Sequence, residues 1–460
     1  MNQAIDVAIL GAGPAGCTLA SLLVQRGFEV VVFDDEKRPD LLVGESLLPT
    51  VVTLMRRLGI EDRVKSFSTH KPGVAFMHRG GQRLDFLFPA KALGSTPNYA
   101  YNIPRPEYDN LLRTRAEEIG VRFVNHRAQV ERGDGEQELR LTAASMEAVP
   151  ELKGIHPKLL IDATGRARTM ARALKLDAAR GNRNDVAYFA HYENFDAESS
   201  VDGQVVLSIL NHGWSWRIPL PGRVSVGVVL DKDVAHRHGA TAADRLESII
   251  DAEPMLAAAG SGRKRVTEVM SYTNYQLISE RGHGPGWLAV GDAFGFVDPM
   301  LSPGLFMAMH MAERLDRRVF APGPKVLDRP AQLAKRLERV EAEMRDWHAA
   351  WGEIIEYFYD GRIFSMYEGG SKLSEQYAKW ALPSLMEKHL STQITRMVSG
   401  VSTRSRYGRQ LIHHTSKHLV WDTEPPEYYA VRSSESSESS KSSDSPAGSS
   451  AAVVATSASA

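Results

Sequence analysis

Short apolar runs alternate with an amphipathic segment at the start of the chain. Residues 5–10 form an apolar run that stops at a glycine cluster, as a buried parallel strand does. The apolar positions Leu19, Leu22 and Leu23 then recur at helical spacing. Residues 30–33 form a second buried run. This order predicts a β-α-β unit, the usual beginning of a parallel sheet.

Later segments follow other patterns. Alternating aromatic and β-branched positions predict an antiparallel sheet on the substrate side of the molecule. A charged pattern with helical spacing and apolar aromatic positions predicts a C-terminal helical region. We therefore expect an α/β protein with a discontinuous Rossmann domain, formed by residues 1–70, 100–182 and 280–325. The antiparallel sheet is expected at 71–99 and 183–279, and the helical region at 326–432. Residues 433–460 are expected to form a disordered serine-rich tail.

Composition narrows the class of ligand. The 55 lysines and arginines nearly balance the 56 aspartates and glutamates, so no net field favours nucleic acid or an anionic membrane, and a small molecule is the expected partner. The N-terminal apolar stretch is too short for a signal peptide or a membrane span. Cys17 is the single cysteine, so no disulfide framework is possible and we expect a cytoplasmic protein. His310, His413 and His414 lack the spacing of metal ligands, so we expect no metal site.

A glycine motif lies between the first strand and the first helix. Residues 11–16 read Gly-Ala-Gly-Pro-Ala-Gly, and this setting makes G-x-G-x-x-G informative for a dinucleotide. Gly11 permits a tight turn, and Gly13 lets a pyrophosphate approach the backbone. Gly16 lets the helix pack closely on the strand, and Ala15 lies in the helical turn beside the ligand. The motif predicts a dinucleotide site at the helix N-terminus.

Acidic residues extend this site. Asp34 closes the second strand, where a carboxylate accepts hydrogen bonds from an adenosine ribose, and Asp35 is the alternative. Segment 291–299 follows a strand-like run, and its Asp292 is placed to bind a ribityl hydroxyl. Two distant segments on one cofactor indicate FAD. Together with residues 162–166, they resemble the three fingerprints of the glutathione-reductase-type FAD superfamily.

Four further segments narrow the family. They are the turn 44–49 with Glu45 and Ser46, the segment 104–109 with Arg105, the strand entry 71–76 with Lys71, and the W-x-W-x-I-P run 214–219 with Trp214 and Trp216. Up to about residue 370, the chain resembles flavin-dependent halogenases of the phenol- and pyrrole-acting kind. The resemblance implies that Glu45, Ser46 and Arg105 contact FAD.

The resemblance also implies a reaction. Reduced flavin, O₂ and halide give hypohalous acid, which must be kept from bulk water. Lys71, with its pKa lowered by apolar surroundings, would hydrogen-bond this acid or form a haloamine that halogenates an electron-rich ring. Trp214 and Trp216 point to one face of a strand and would hold the substrate away from the flavin. The alternatives are a solvated lysine and two core aromatic residues.

The chain departs from the family pattern at Pro303. Halogenases of this kind read serine-serine-glycine or serine-threonine-glycine at this point, and backbone N–H groups there hold the halide, whereas this chain reads Ser302-Pro303-Gly304. Proline has no N–H group. The amides of Gly304 and Leu305 and the helix dipole remain for flavin and halide, so we expect weaker halide binding.

Three functions are compatible with these residues. The first is an FAD-dependent halogenase acting on a phenolic or pyrrole-like ring, either as a small molecule or bound to a carrier protein. No second G-x-G-x-x-G follows a strand, so a separate flavin reductase is the expected electron donor. The second is an FAD-dependent monooxygenase or a double-bond reductase of the geranylgeranyl-reductase type. The third is a flavoprotein without turnover.

Overall fold

A computed structural model gives the fold of the chain. It describes residues 5–35, 41–79, 81–89, 91, 93–135, 137–152, 154–273, 276–376, 381–416 and 427–432. The serine-rich tail predicted at 433–460 lies outside the described residues.

The strands are numbered in chain order. They are β1 (Val7–Leu10), β2 (Val30–Asp34), β3 (Thr69–Lys71), β4 (Gly73–Met77), β5 (Arg83–Leu87), β6 (Ala100–Asn102), β7 (Arg122–Asn125), β8 (Val130–Arg132), β9 (Leu139–Leu141), β10 (Leu159–Asp162), β11 (Ala178–Arg180), β12 (Asp185–Glu193), β13 (Val205–Leu210), β14 (Gly213–Leu220), β15 (Arg223–Asp231), β16 (Lys264–Arg265), β17 (Met270–Thr273), β18 (Leu277–Ser279), β19 (His283–Gly284), β20 (Trp287–Ala289) and β21 (Gly295–Phe296).

The α-helices are numbered in the same way. They are α1 (Pro14–Gln25), α2 (Pro49–Leu58), α3 (Glu61–Lys65), α4 (Arg105–Ile119), α5 (Ala143–Glu147), α6 (Thr169–Leu174), α7 (Lys232–Ala235), α8 (Ala242–Ala252), α9 (Pro254–Ala257), α10 (Pro303–Arg318), α11 (Pro330–Tyr359), α12 (Arg362–Gln376), α13 (Ala381–Val398) and α14 (Arg406–His414).

The first sheet is the predicted Rossmann sheet. Its strand order is β19-β20-β10-β1-β2-β7, and β1 pairs in parallel with both β2 and β10. All four residues of β1 are buried, which explains its continuous apolar run. Because the carboxyl ends of parallel strands meet at one edge, the glycine turn after β1, Asp34 and the loop after β10 lie together. The predicted β-α-β unit is confirmed.

The second sheet carries the predicted substrate side. Its order is β16-β12-β15-β14-β13-β4-β5, with β17 also paired to β12. The prediction of antiparallel pairing holds for every pair except β4 and β13, which run parallel with Val74 opposite Val205. These two strands are far apart in sequence and are not joined by a hairpin, so nothing local dictates an antiparallel pair.

Lys71 lies outside this second sheet, although residues 71–99 were assigned to it. It ends β3, which pairs antiparallel with β6 in a separate two-stranded sheet, with Lys71 opposite Ala100. The large sheet begins two residues later, at Gly73 in β4. Lys71 therefore lies at the junction between the two halves of the molecule. The domain boundaries themselves stay a prediction.

Long helices cover the C-terminal region, as predicted. The 30-residue helix α11 buries Trp347, Trp351 and Phe358 in the same apolar core that includes the first sheet. Among the described helices, none is both long enough and apolar enough to cross a bilayer.

Three helices of the Rossmann half are tied together by one carboxylate. Asp316 in α10 is almost fully buried and accepts hydrogen bonds from Arg26, just after α1, and from Arg57 in α2. Burial alone would raise the pKa of Asp316, but the hydrogen bonds from both guanidinium groups lower it below its ordinary value. The ionised carboxylate therefore stabilises the packing of α10, which leads to the site.

Replacement of Asp316 tests how much its hydrogen bonds with Arg26 and Arg57 stabilise the fold. Asp316→Asn should lower the free energy of unfolding at pH 7 by about 1–2 kcal/mol, because the arginines stay partly hydrated. A carboxylate with a lowered pKa stabilises the fold above its unfolded pKa and loses this effect as the pH falls through the folded value. The deficit should therefore shrink below about pH 4. Urea titrations at pH 7 and pH 3.5 measure it, and a deficit independent of pH would contradict the assignment.

Candidate active site

A single cavity of about 1050 Å³ lies where the two sheets meet. It extends from the glycine turn after β1 to the apolar face of the second sheet. Every predicted site residue except Gly16 lines its wall, namely Gly11, Gly13, Ala15, Asp34, Glu45, Ser46, Lys71, Arg105, Trp214, Trp216, Asp292, Gly304 and Leu305.

The glycine turn has the local geometry that the motif predicts. Gly11 has a φ of +102°, and a Cβ there would lie 2.6 Å from the Ala163 carbonyl oxygen. A Cβ on Gly16 would lie 2.1 Å from the Gly11 carbonyl oxygen, so this glycine is required for packing of helix on turn. A Cβ on Gly13 would meet nothing within 4 Å. Gly13 therefore leaves open space in front of the N-terminus of α1.

Acidic residues at the end of β2 also reach the cavity. Asp34 is buried and receives a hydrogen bond from Arg113, whose guanidinium lies 4.9 Å from the centroid of the Phe123 ring. Asp35 follows and lies 3.9 Å from the Nε atom of Arg127. Both carboxylates line the cavity, so the structure places the preferred and the alternative residue side by side.

Asp292 enters from the opposite side of the glycine turn. Its carboxylate lines the cavity and makes no hydrogen bond to any described residue. Desolvation raises its pKa to about 6, although Arg105 and Arg166 act in the other direction. A partly buried carboxylate without a protein donor among the described residues is suited to accept a hydrogen bond from a ligand hydroxyl.

The N-terminus of α10 closes this end of the cavity. Gly304 and Leu305 line the wall, and the amides of a first helical turn have no acceptor within the helix. Pro303 is buried at the first position of the helix and is not part of the cavity wall. Leu301 and Ser302 both have left-handed φ values, of 65° and 57°, and turn the chain into this helix.

Glu45 is held from the second sheet. Its Oε1 atom lies 2.6 Å from Nε2 of His191 in β12, and both side chains are buried. Arg223 in β15 donates from Nε to Nδ1 of His191 at 3.0 Å. Since arginine only donates, Nδ1 is the acceptor and Nε2 carries the proton toward Glu45. The sheet thus fixes one carboxylate oxygen of Glu45.

Arg105 begins α4 beside the same turn. Its Nε and Nη2 atoms each lie 3.1 Å from a carboxylate oxygen of Asp109, a bidentate pair within one helical turn. Nη1 donates to the Val43 carbonyl oxygen, and the side chain passes over Gly44, whose φ is +90°. Arg105 therefore fixes the turn that leads to Glu45.

Lys71 is almost entirely buried, at 4% exposure, and yet lines the cavity. Its Nζ atom donates to Ser46 Oγ at 2.7 Å and to the Leu47 carbonyl oxygen at 2.9 Å, and the Phe88 ring centroid lies 5.6 Å away. It forms no ion pair with any described carboxylate. Burial lowers its pKa to about 7. A solvated surface lysine is therefore excluded.

Trp214 and Trp216 alternate on β14 and both face the cavity. Their ring centroids are 5.8 Å apart. Nε1 of Trp214 donates to the Tyr359 hydroxyl at 2.9 Å, and that hydroxyl lies 3.3 Å from both carboxylate oxygens of Asp298. Desolvation raises the pKa of Asp298 to about 6. The two indoles are therefore part of the site as well as of the core.

Several residues that hold the side chains of the cavity wall in place were not identified from the sequence. His191, Arg223 and Tyr359 carry no motif, because their contacts join segments that are far apart along the chain, and Asp298 lies in the segment 291–299 without having been singled out. Four arginines also line the wall and form no ion pair within the described residues. Three of them, Arg166, Arg168 and Arg172, follow β10, and the fourth is Arg180 in β11. The close spacing of those three after a strand was the available signal.

The residues of this cavity fit FAD. Space remains in front of Gly13 for a pyrophosphate, the unpaired arginines supply opposite charge, and Asp292 supplies an unused acceptor. The described residues contain no group of three or more side chains that could hold a metal ion. A Rossmann sheet joined to a second sheet around one such cavity is the arrangement of a flavoprotein oxidoreductase.

Comparison with known proteins names the family. A family model described as tryptophan halogenase matches residues 6–96 and 89–360. A tryptophan 2-halogenase from Chondromyces crocatus is 28% identical over 369 residues, 78% of this chain and 69% of that protein. A 1H-pyrrole-2-carbonyl-(peptidyl-carrier protein) brominase from Pseudoalteromonas luteoviolacea is 27% identical over 320 residues, 67% of this chain and 75% of that protein.

A solved structure agrees with these relatives. The myxobacterial chondrochloren halogenase, described as an FAD-dependent halogenase, gives a TM-score of 0.67 at 26% identity, over 78% of this chain and 83% of that one. The chain belongs to the tryptophan halogenase family. The predicted fold class, the FAD cofactor and the assignment to FAD-dependent halogenases are thereby confirmed. The roles of individual residues stay predictions.

Two glycine variants separate packing from ligand binding in the first turn. Gly16→Ala should lower the free energy of unfolding by about 2–3 kcal/mol, because its Cβ would overlap backbone. Gly13→Ala meets no protein atom and should change stability by less than about 1 kcal/mol, yet weaken FAD binding by about tenfold or more. Urea unfolding and flavin fluorescence titration measure both. Unchanged FAD affinity in Gly13→Ala would place the pyrophosphate elsewhere.

Proposed function

We propose that this FAD-dependent halogenase transfers halogen to a neutral, electron-rich aromatic ring through the amine of Lys71. The observation that supports it is a buried lysine at the cavity wall whose Nζ has two neutral acceptors and no counter-charge among the described residues. Such an amine is available in its neutral form near pH 7, unlike an ordinary lysine.

The cofactor would be held by the residues already described. Gly13 and the first turn of α1 face the pyrophosphate, Asp34 the adenosine ribose, and Asp292 the ribityl chain. Bound reduced FAD supplies the oxygen activation that converts halide into hypohalous acid. The amides of Gly304 and Leu305 are the donors available for flavin and halide, since Pro303 has none.

The lysine step balances without a further reagent. Neutral Lys71 displaces hydroxide from hypohalous acid, so that an N–halogen bond forms, the oxygen–halogen bond breaks and water leaves with one amine proton. The ring then takes the halogen from nitrogen and gives up a proton, which restores the amine. Halogen therefore never enters bulk water, where hypohalous acid would react without selectivity.

The cavity wall beside Lys71 suits an aromatic substrate. Strands β4, β12, β13 and β14 of the second sheet contribute apolar side chains there, and β17 adds Tyr272 and Thr273. The apolar ones are Val74, Ala187, Val205, Leu207, Trp214, Trp216 and Ile218. An apolar ring gains free energy by leaving water for this surface, whereas an unpaired ion would lose several kcal/mol. Trp214 and Trp216 would separate the ring from the flavin and so disfavour direct hydroxylation.

Partners follow from the same reasoning. The described residues show one dinucleotide fingerprint, so a separate flavin reductase is proposed as the source of reduced flavin. Two of the curated relatives act on a pyrrole carbonyl attached to a peptidyl carrier protein, which supports a carrier-bound substrate as one form of the substrate. The single cysteine, Cys17, supports a reducing, cytoplasmic compartment.

Lys71→Met is the decisive variant. It keeps the apolar stem and removes the amine, so transfer of bromine to a phenol or pyrrole probe should fall by about 100-fold or more. Oxidation of reduced flavin should continue, because no flavin contact is assigned to Lys71. Product is measured by mass spectrometry in the presence of a flavin reductase, NADH, O₂ and bromide. Melting temperature is the control, and it should not fall since a buried amine is removed.

Full product yield with Lys71→Met would exclude the lysine route. Hydroxylated product that is independent of bromide would indicate a monooxygenase instead.

The pH dependence tests which form of the amine acts. Since burial lowers the pKa of Lys71 to about 7, the neutral amine increases as the pH rises through 7. Halogen transferred per flavin oxidised should therefore rise between about pH 6 and pH 8 and then level off. A fall over this range would instead favour the charged ammonium as a hydrogen-bond donor to hypohalous acid. Lys71→Met provides the baseline.

A further inference from the structure

The strand β6 lies between the two segments that meet at Lys71. On one side β6 pairs with β3, which ends at Lys71. On the other side it holds the segment 45–47, through Leu47 N–H to the Tyr101 carbonyl (3.0 Å) and Ile103 N–H to the Glu45 carbonyl (2.7 Å). Lys71 and Ser46 are thus brought together by a common neighbour rather than by sequence proximity.

The contacts of Nζ leave one direction open. An amine nitrogen is tetrahedral, with one position used by its own carbon. Ser46 Oγ and the Leu47 carbonyl oxygen occupy two more, at 2.7 and 2.9 Å. Within the described residues no third acceptor contacts Nζ, and Lys71 lines the cavity. The remaining position, a lone pair in the neutral amine, therefore faces the cavity.

We infer that Ser46 is a positioning residue for Lys71, and that the chain Arg223–His191–Glu45 anchors the segment that carries it. This inference rests on the proposed function. It gives Ser46 a role different from the flavin contact that the family resemblance implies. The carbonyl of Leu47 alone would leave Nζ free to rotate about its last bond, whereas two acceptors fix the direction of the reactive position.

The chain Arg223–His191–Glu45 fixes the segment 45–47, whose Ser46 and Leu47 accept hydrogen bonds from Lys71. Glu45 and His191 are 2% and 3% exposed, and their 2.6 Å hydrogen bond joins the segment 45–47 to β12 of the second sheet. Arg223 fixes the orientation of the His191 ring by donating a hydrogen bond to Nδ1, the nitrogen that does not face Glu45. A buried carboxyl group left without this donor would be strongly disfavoured, so movement of the segment would cost this hydrogen bond.

The titration of Lys71 reports its contact with Ser46 directly. Two titratable residues adjoin this contact along the chain, Glu45 next to Ser46 and His70 next to Lys71 on β3. Desolvation by burial lowers the pKa of Lys71. A hydroxyl that accepts from the ammonium stabilises the charged form. Its removal should lower the titration midpoint by about one pH unit.

The experiment measures the rate at which cyanate carbamoylates Lys71 in the FAD-loaded enzyme between pH 5 and pH 9. The modified peptide is quantified by mass spectrometry, and the other lysines serve as internal references. The wild-type midpoint is expected near pH 7. Ser46→Ala should shift it down by about one unit, and Ser46→Thr, which keeps the hydroxyl, should restore it. Ser21→Ala is the matched control, because Ser21 is an equally buried serine in α1. Its hydroxyl donates a hydrogen bond to the backbone carbonyl oxygen of Cys17, away from Lys71.

Equal midpoints in wild type, Ser46→Ala and Ser21→Ala would overturn the inference even if bromination proceeds. If Ser46→Ala does not fold, Ser46→Cys replaces it, and its weaker acceptor should still lower the midpoint. The proposed function fails by a different result, namely bromination by Lys71→Met. The two failures are therefore distinguishable.

Discussion

The structure holds one amine, that of Lys71, out of water without a counter-ion among the described residues. Transfer of an ammonium into a protein interior is strongly unfavourable, and the usual remedy is a buried ion pair. Here burial instead lowers the pKa of Lys71 to about 7, so that the uncharged amine is available near neutral pH, and its two acceptors are neutral. This arrangement requires that both sheets, the strand β6 and the segment 45–47 meet at one point. The local fold thus favours the uncharged form of the Lys71 amine instead of balancing an ammonium with a carboxylate.

The cavity is electrically asymmetric. Unpaired arginines such as Arg168 and Arg172 lie on the Rossmann side, whereas the second sheet contributes an apolar wall. A dinucleotide with charged phosphates at its centre and a flat ring at one end has one favourable orientation in such a field. The burial cost of the phosphates would be offset by guanidinium groups that form no ion pair among the described residues. Orientation of the cofactor therefore follows from charge as well as from shape.

Much of the Rossmann half could be predicted from sequence, because local sterics determine it. The glycines at 11 and 16 are needed for the turn and the helix packing, whatever the rest of the chain does. The position of Lys71 in the cavity wall was predicted from family resemblance and not from pattern. The contact between Glu45 and His191 could not be predicted, since it joins residues 146 positions apart and depends on how the sheets dock. For the same reason, the parallel pair of β4 and β13 was not anticipated.

The hydroxyl of Tyr359 joins parts of the molecule that have separate tasks. It accepts from Trp214 and contacts Asp298, while the backbone carbonyl of the same residue accepts from Val431 near the C-terminus. Trp214 is therefore a poor position for evolutionary change, since any replacement disturbs several elements at once. Val205 and Leu207 contact the cavity through dispersion forces alone. A lineage that diversified its substrates would be expected to vary these aliphatic positions first and to retain the indole.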